Sequence, residues 1–239
     1  MQRVRQGPRR IVCLTEDPAE ILCALGEEDR IVGISAYTVR PPGLRQRKPV
    51  VSAFIDGSVR KILALEPDLV IGFSDIQADL AAKLIRAQLQ VLVFNQRSIS
   101  EILDVVDALG RLVNAQKRAQ VLIDGYLHIL ARATERSAAQ QHRPRVYFEE
   151  WDDPQICGIQ WVSELIEVAG GQDIFSQRAL GKGAKDRFVT MDEVRAGNPD
   201  AMIASWCGKA FDREATLLRA GTSKIPAFQN GALYEMDPA

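Results

Sequence analysis

The side chains able to do chemistry in this 239-residue chain collect in a few short clusters. Carboxylates stand at Glu16, Asp17, Asp75, Glu149 and Glu150, cations at Arg40, Arg97 and Lys209, and hydroxyls or amides at Thr15, Ser74 and Asn95. Groups mixed in this way suit a polar ligand held by directed hydrogen bonds, with Arg97 able to grip a carboxylate or phosphate through its planar fork. The competing reading is that these loops are solvated and their charges pair with one another. Enzyme patterns are scarce: GxSxG, HExxH and GxxxxGK[ST] are all missing, and the GKGAK run at 181–185 lacks the Ser or Thr of a phosphate loop. The chain is therefore read as a non-enzyme, with no catalytic residue and no cofactor.

Two histidines, His128 and His142, fall on a helix and in the polar turn after it, so a zinc or manganese site built on imidazole is not expected. The four cysteines, Cys13, Cys23, Cys157 and Cys207, form no CxxC pair, which argues against a disulfide framework or a zinc ribbon. Cys13 and Cys23 lie in apolar runs and read as small buried hydrophobes. Cys157 and Cys207 have polar and aromatic neighbours, and Lys209 is the one nearby cation that could favour a thiolate at Cys207. Thiol chemistry there, with Glu149 and Glu150, is the alternative to a binding role.

These residues need a scaffold, and the chain writes the same one twice. KILALEPDLVIGFSD (61–75) and EVRAGNPDAMIASWCG (193–208) each run from an amphipathic helix through Pro-Asp into an apolar strand. Each strand ends in an aromatic and polar group, Phe73-Ser74-Asp75 and Trp206-Cys207-Gly208. Ligands of open α/β sheets sit beyond the carboxyl ends of the strands. Apolar runs at 10–14, 31–34, 69–72 and 91–94 alternate with helical stretches, the pattern of a parallel sheet with covered faces. From 115 to 140 no proline occurs, and Ala119, Leu122, Tyr126, Ile129 and Leu130 keep a helical spacing, which predicts one helix of about seven turns. Strands at 146–148, 201–204 and 232–234, with helices at 161–169 and 191–196, complete a second unit; EEWDDPQICG reads as a loop. The fold class expected is α/β: two Rossmann-like lobes with parallel sheets at 1–112 and 144–239, joined by one long helix at 113–143. A helical spacer resists bending far more than a strand hinge does, so little rigid-body closure is expected.

Composition is compatible with that plan. Forty-six per cent of residues are hydrophobic and 26% charged, enough to bury full cores, and 30 basic against 31 acidic residues leave a formal charge of -1. Such a balance gives no electrostatic footprint for nucleic acid. No apolar stretch approaches the ~20 residues of a membrane span, and MQRVRQGPRR carries no apolar segment of the secretory kind.

The order of TEDPAE, GISAY, KILALEPDLVIGF, VLVFN, the long helix, VYFEE, a helix ending AGG and NPDAMI resembles the helical-backbone (class III) substrate-binding proteins of ABC importers, which carry cobalamin, haem and iron–siderophore complexes. The cobalamin-binding branch is the most similar. The resemblance spans nearly the whole chain and implies capture of a corrinoid or related metal chelate between two lobes by a monomer, in the periplasm or at the cell surface. Without a signal segment, a cytoplasmic ligand-sensing protein on the same fold is the alternative. Family cleft positions fall on Tyr37, Phe54, Phe73 and Trp151, where rigid rings would cover the face of a flat macrocycle. With the strand-end residues, the expected ligand-binding set is Tyr37, Phe54, Phe73, Ser74, Asp75, Asn95, Arg97, Glu149, Glu150, Trp151, Trp206, Cys207 and Lys209. The family docks on its permease through acidic residues; Arg60 stands at the first-lobe position and Asp192 at the second. Members usually continue into a terminal helix, whereas this chain stops at Met236-Asp237-Pro238-Ala239, and that helix is expected to be missing.

Overall fold

The computed structural model describes residues 7–206 and 208–237. They divide into two compact units, one of 7–96 and Ser100–Tyr126 and the other of Arg97–Ile99, 127–206 and 208–237, each with its own sheet.

In the first unit the strands are β1 (Ile11–Cys13), β2 (Ile31–Ser35), β3 (Val50–Ala53), β4 (Asp56–Gly57), β5 (Leu69–Phe73) and β6 (Val91–Phe94), in the order β4-β3-β2-β1-β5-β6. All pairings are parallel except the short β3–β4 hairpin. Helices α1 (Glu16–Ala24), α2 (Leu44–Arg47), α3 (Val59–Ala64), α4 (Ala78–Arg86) and α5 (Ile99–Leu112) follow these strands, and α6 (Gln116–Ala138) is the long helix. Two apolar clusters form the core, one around Ile11, Leu22, Ile34, Ile71 and Leu109, the other around Val12, Leu14, Ile62, Val70 and Leu84. Strands buried on both sides explain the unbroken apolar runs that the sequence shows. The second unit holds β7 (Arg145–Asp152), β8 (Gln155–Cys157), β9 (Gln172–Asp173), β10 (Ala201–Ala204) and β11 (Leu233–Glu235), ordered β11-β10-β7-β8 with β9 also pairing β7. Its helices are α7 (Gln160–Val168), α8 (Met191–Gly197), α9 (Arg213–Leu217) and α10 (Pro226–Gln229).

EEWDDPQICG is not a loop. β7 continues through Asp152 and turns back at Asp153-Pro154 into antiparallel β8. Thr15 precedes α1, and its hydroxyl donates to Asp17 Oδ1 at 2.6 Å instead of capping the helix. On α6, Ala119 is buried and Leu122, Ile123 and Tyr126 pack on the first core, whereas Ile129 is 64% exposed. Among the described residues no helix is long and apolar enough to cross a membrane.

The Pro-Asp repeat has a common physical role. Asp68 accepts the backbone N–H groups of Arg9 and Arg10 at 2.8 and 2.9 Å, and its own N–H donates to Arg10 O. Asp200 accepts Arg145 N–H at 2.8 Å and returns its N–H to Arg145 O at 2.8 Å. The preceding residues, Glu66 and Asn198, both adopt the left-handed conformation (φ 45° and 47°) that ends a helix and lets proline follow. Arg10 meanwhile donates to Leu65 O and Glu66 O at the end of α3. Each lobe thus ties the start of one central strand to the start of its neighbour.

Hydrogen bonds from Arg145, backbone first and then side chain, hold the Asp200 carboxyl below the usual range. A depressed folded pKa stabilises above the unfolded value and is lost as pH falls through the folded one. Asp200→Ala should cost about 1.5–3 kcal/mol at neutral pH in urea unfolding, the range for hydrogen bonds to a charged group. The difference from the parent should shrink below about pH 4; a constant difference down to acid would refute the clamp.

Candidate ligand-binding site

In the first lobe the carboxyl ends of β2, β3 and β5 carry Tyr37, Phe54 and Phe73. Tyr37 is 43% exposed and meets Phe54 edge to face, with ring centroids 6.4 Å apart at 88°. Phe54 sits at φ 51° and Ser74 at φ 64°. Left-handed non-glycine residues cost roughly 1–3 kcal/mol and persist only where their surroundings fix them.

What fixes them is Gln77, 1% exposed in the turn before α4. Its Oε1 accepts Phe73 N–H at 2.9 Å, and its Nε2 donates to Phe54 O and, at 3.4 Å, to Leu14 O. One amide therefore ties the ends of β1, β3 and β5 together. Gly72 makes room for it, since a Cβ there would lie 2.6 Å from Gln77 Oε1. The sequence reading missed Gln77, although it continues the buried stripe of Leu80, Ala81 and Leu84, and a polar residue on an apolar stripe is the signal.

Ser74 is buried, donates Oγ to Asp75 Oδ1 at 2.7 Å and gives its N–H to Phe94 O at 2.7 Å, leaving Asp75 at the surface. Asn95 is exposed just past β6. Its neighbour Gln96 donates to Asp17 Oδ2 at 2.8 Å. Burial pushes the carboxyls of Asp17 and Glu16 above their ordinary range. Arg97 belongs to the second unit, where its carbonyl accepts Trp161 N–H at 2.9 Å.

In the second lobe the expected site splits. Glu149 and Trp206 are core residues: Glu149 is 0% exposed and accepts Tyr147 Oη at 2.7 Å, Trp206 Nε1 at 3.1 Å and both Arg219 terminal nitrogens at 2.6 and 3.0 Å. Both side chains are engaged within the second unit, where each Glu149 oxygen accepts two donors. Burial, then the Glu149 charge, raises the Tyr147 hydroxyl well above its usual pKa, so it remains a donor. Glu150 accepts both terminal nitrogens of buried Arg187 and is likewise committed. Half-buried Trp151 and exposed Lys209 remain at the surface. Lys209 Nζ lies 5.1 Å from the Trp151 ring and 4.9 Å from Trp206, and it pairs with Asp152 at 2.6 Å. An open hollow of about 510 Å³ adjoins it, lined by Gly208, Lys209, Ala210, Glu235 and Asp237.

Cys207 lies outside the described residues. Burial lifts Cys157 to about 12 and Cys23 to about 11, so neither is a thiolate at neutral pH. Among the described residues no three His, Cys, Asp or Glu side chains converge as a metal site.

The family profile described as periplasmic binding protein matches residues 11–239, and the chain belongs to that family. It is 26% identical over 244 residues to YvrC, an ABC transporter substrate-binding lipoprotein of Bacillus subtilis strain 168, covering 98% of this chain and 74% of that one. It is 25% identical over 223 residues to a cobalamin-binding protein of Halobacterium salinarum strain R1, covering 91% of this chain and 59% of that one. A periplasmic heme-binding protein from Pseudomonas aeruginosa shares the fold, with a TM-score of 0.83 at 23% identity over 97% of this chain and 85% of that one.

Replacing Gln77 by Leu removes both amide groups and leaves Phe73 N–H and Phe54 O without partners. A loss of about 2–4 kcal/mol is expected. Chemical denaturation of Gln77→Leu checks this, and a loss below about 1 kcal/mol would mean that water or backbone rearrangement replaces the tie.

Proposed function

We propose that this chain is the ligand-capturing component of an ABC importer and that its ligand is a cobalamin-like corrinoid or a related metal chelate. The observation that carries the reading is the Tyr37–Phe54 pair, rigid rings presented at strand ends on a backbone held out of its preferred conformation. Aromatic faces of that kind cover a flat macrocycle at low entropic cost. Family membership supports capture of a small molecule, and the named activity of the Halobacterium relative favours cobalamin among the candidates. The heme-binding neighbour shares only the fold, which hosts more than one ligand.

The strand-end residues are the proposed ligand contacts, each unit taken by itself: Tyr37, Phe54, Phe73, Asp75 and Asn95 in the first, Trp151 and Lys209 in the second. The protein would act outside the cytoplasmic membrane as a monomer and transfer its cargo to a permease. Asp192, exposed in the first turn of α8, would be a docking contact of the second lobe. Neither a catalytic step nor nucleic acid enters this role.

A thermal-shift panel of cyanocobalamin, dicyanocobinamide, hemin and ferric siderophores tests the reading. A ligand at 100 times its Kd should stabilise the native state by about 2.7 kcal/mol. The corrinoids should give that shift and Tyr37→Ala should reduce it; stabilisation by hemin or a siderophore alone would reassign the ligand.

A further inference from the structure

At the carboxyl end of β1 the first lobe holds more hydrogen-bond acceptors than donors. Asp17 is satisfied, with Oδ1 taking the Thr15 hydroxyl at 2.6 Å and Oδ2 taking Gln96 Nε2 at 2.8 Å. The other end of that amide, Gln96 Oε1, is buried without a donor, and Gln96 as a whole is 8% exposed. Glu16 Oε2, next to Asp17 in the first turn of α1, is buried without a donor as well. The nearby cation, Arg40, bonds Glu20 Oε2 through Nε at 3.1 Å and donates nothing to Glu16 Oε2.

Native structures rarely leave buried oxygens in this state, since each forfeits its hydration. Part of the Glu16 side chain reaches solvent, so a small rotation of its carboxylate would present the oxygen to an incoming group. Acceptors left without donors recognise what they lack, an N–H donor, and repel a carboxylate. Burial, together with the Asp17 and Glu20 charges, raises the Glu16 carboxyl, a penalty that an arriving donor would relieve.

We infer that Glu16 and Gln96 form a subsite for a hydrogen-bond-donating substituent of the ligand, a primary carboxamide or an ammonium group, which selects amide-fringed macrocycles over those rimmed by carboxylates. The inference deepens the proposed function and rests on it for the macrocycle. The donor preference itself follows from the two oxygens.

Calorimetry with cyanocobalamin and its peripheral monocarboxylic acids, in each of which one propionamide has become a propionate, provides the test. At least one acid isomer should bind the parent protein about tenfold more weakly than cyanocobalamin, as expected for exchange of a charge-assisted hydrogen bond for a repulsion. Glu16→Leu should melt no lower than the parent, bind cyanocobalamin about tenfold more weakly and lose the discrimination between amide and acid. The subsite is overturned if every isomer binds the parent within about twofold of cyanocobalamin, or if Glu16→Leu keeps the parent affinity. If the parent binds no corrinoid, the proposed cargo falls separately. The subsite is then judged on ferrioxamine B, which carries a free ammonium group: tighter binding to the parent than to Glu16→Leu supports it, and any other result overturns it.

Discussion

An aspartate placed directly after a proline sets the position of each sheet. Its carboxylate accepts the backbone N–H of the neighbouring strand, Arg9 and Arg10 at Asp68 and Arg145 at Asp200, while its own N–H completes a reciprocal bond. Strand register is otherwise a matter of side-chain fit, and a slip by one residue would turn buried side chains outward. Pinning β1 against β5, and β7 against β10, at their starts determines which residues emerge at their far ends. Phe73 stands at the end of β5, Ser74 just after it and Trp151 near the end of β7 because of contacts made several residues away.

At those far ends the two lobes solve the same problem with different chemistry. The first uses a neutral amide, Gln77, whose three bonds hold strand ends that carry strained residues. The second uses a charged hub, Glu149 with Arg219, Tyr147 and Trp206. A buried ion pair gives little net stability, because desolvation offsets the attraction, but removal of one partner costs several kcal/mol. Glu149 thereby ties β7 to Arg219 and Trp206 three residues before the strand ends. Trp151, two residues on in β7, and Lys209, whose Nζ lies over the Trp151 and Trp206 rings, stand at the surface beside that hub.

Much of this was legible in the sequence. The two Pro-Asp units, the alternating elements and the long helix follow from periodicity and from proline's restriction on its neighbours, all of which are local. The partners of Glu149 and Trp206 were not legible because they are distant: Arg219 lies 70 residues from Glu149. FEEWDD looks like a solvated acidic loop until Arg219 and Arg187 are brought to it, and β8 was missed for the same reason. Gln77 and Gln96 carry no motif, and their importance comes from which backbone and side-chain groups surround them.

The central claim is that the carboxyl ends of the strands receive the ligand. Amide hydrogen exchange with and without cyanocobalamin tests it most directly, because protection reports local opening along the backbone. The account predicts slower exchange at residues 36–38, 54–57, 74–77 and 151–153. Protection confined to the strand starts near Arg10 and Asp200, or to the exposed face of α6, would contradict it.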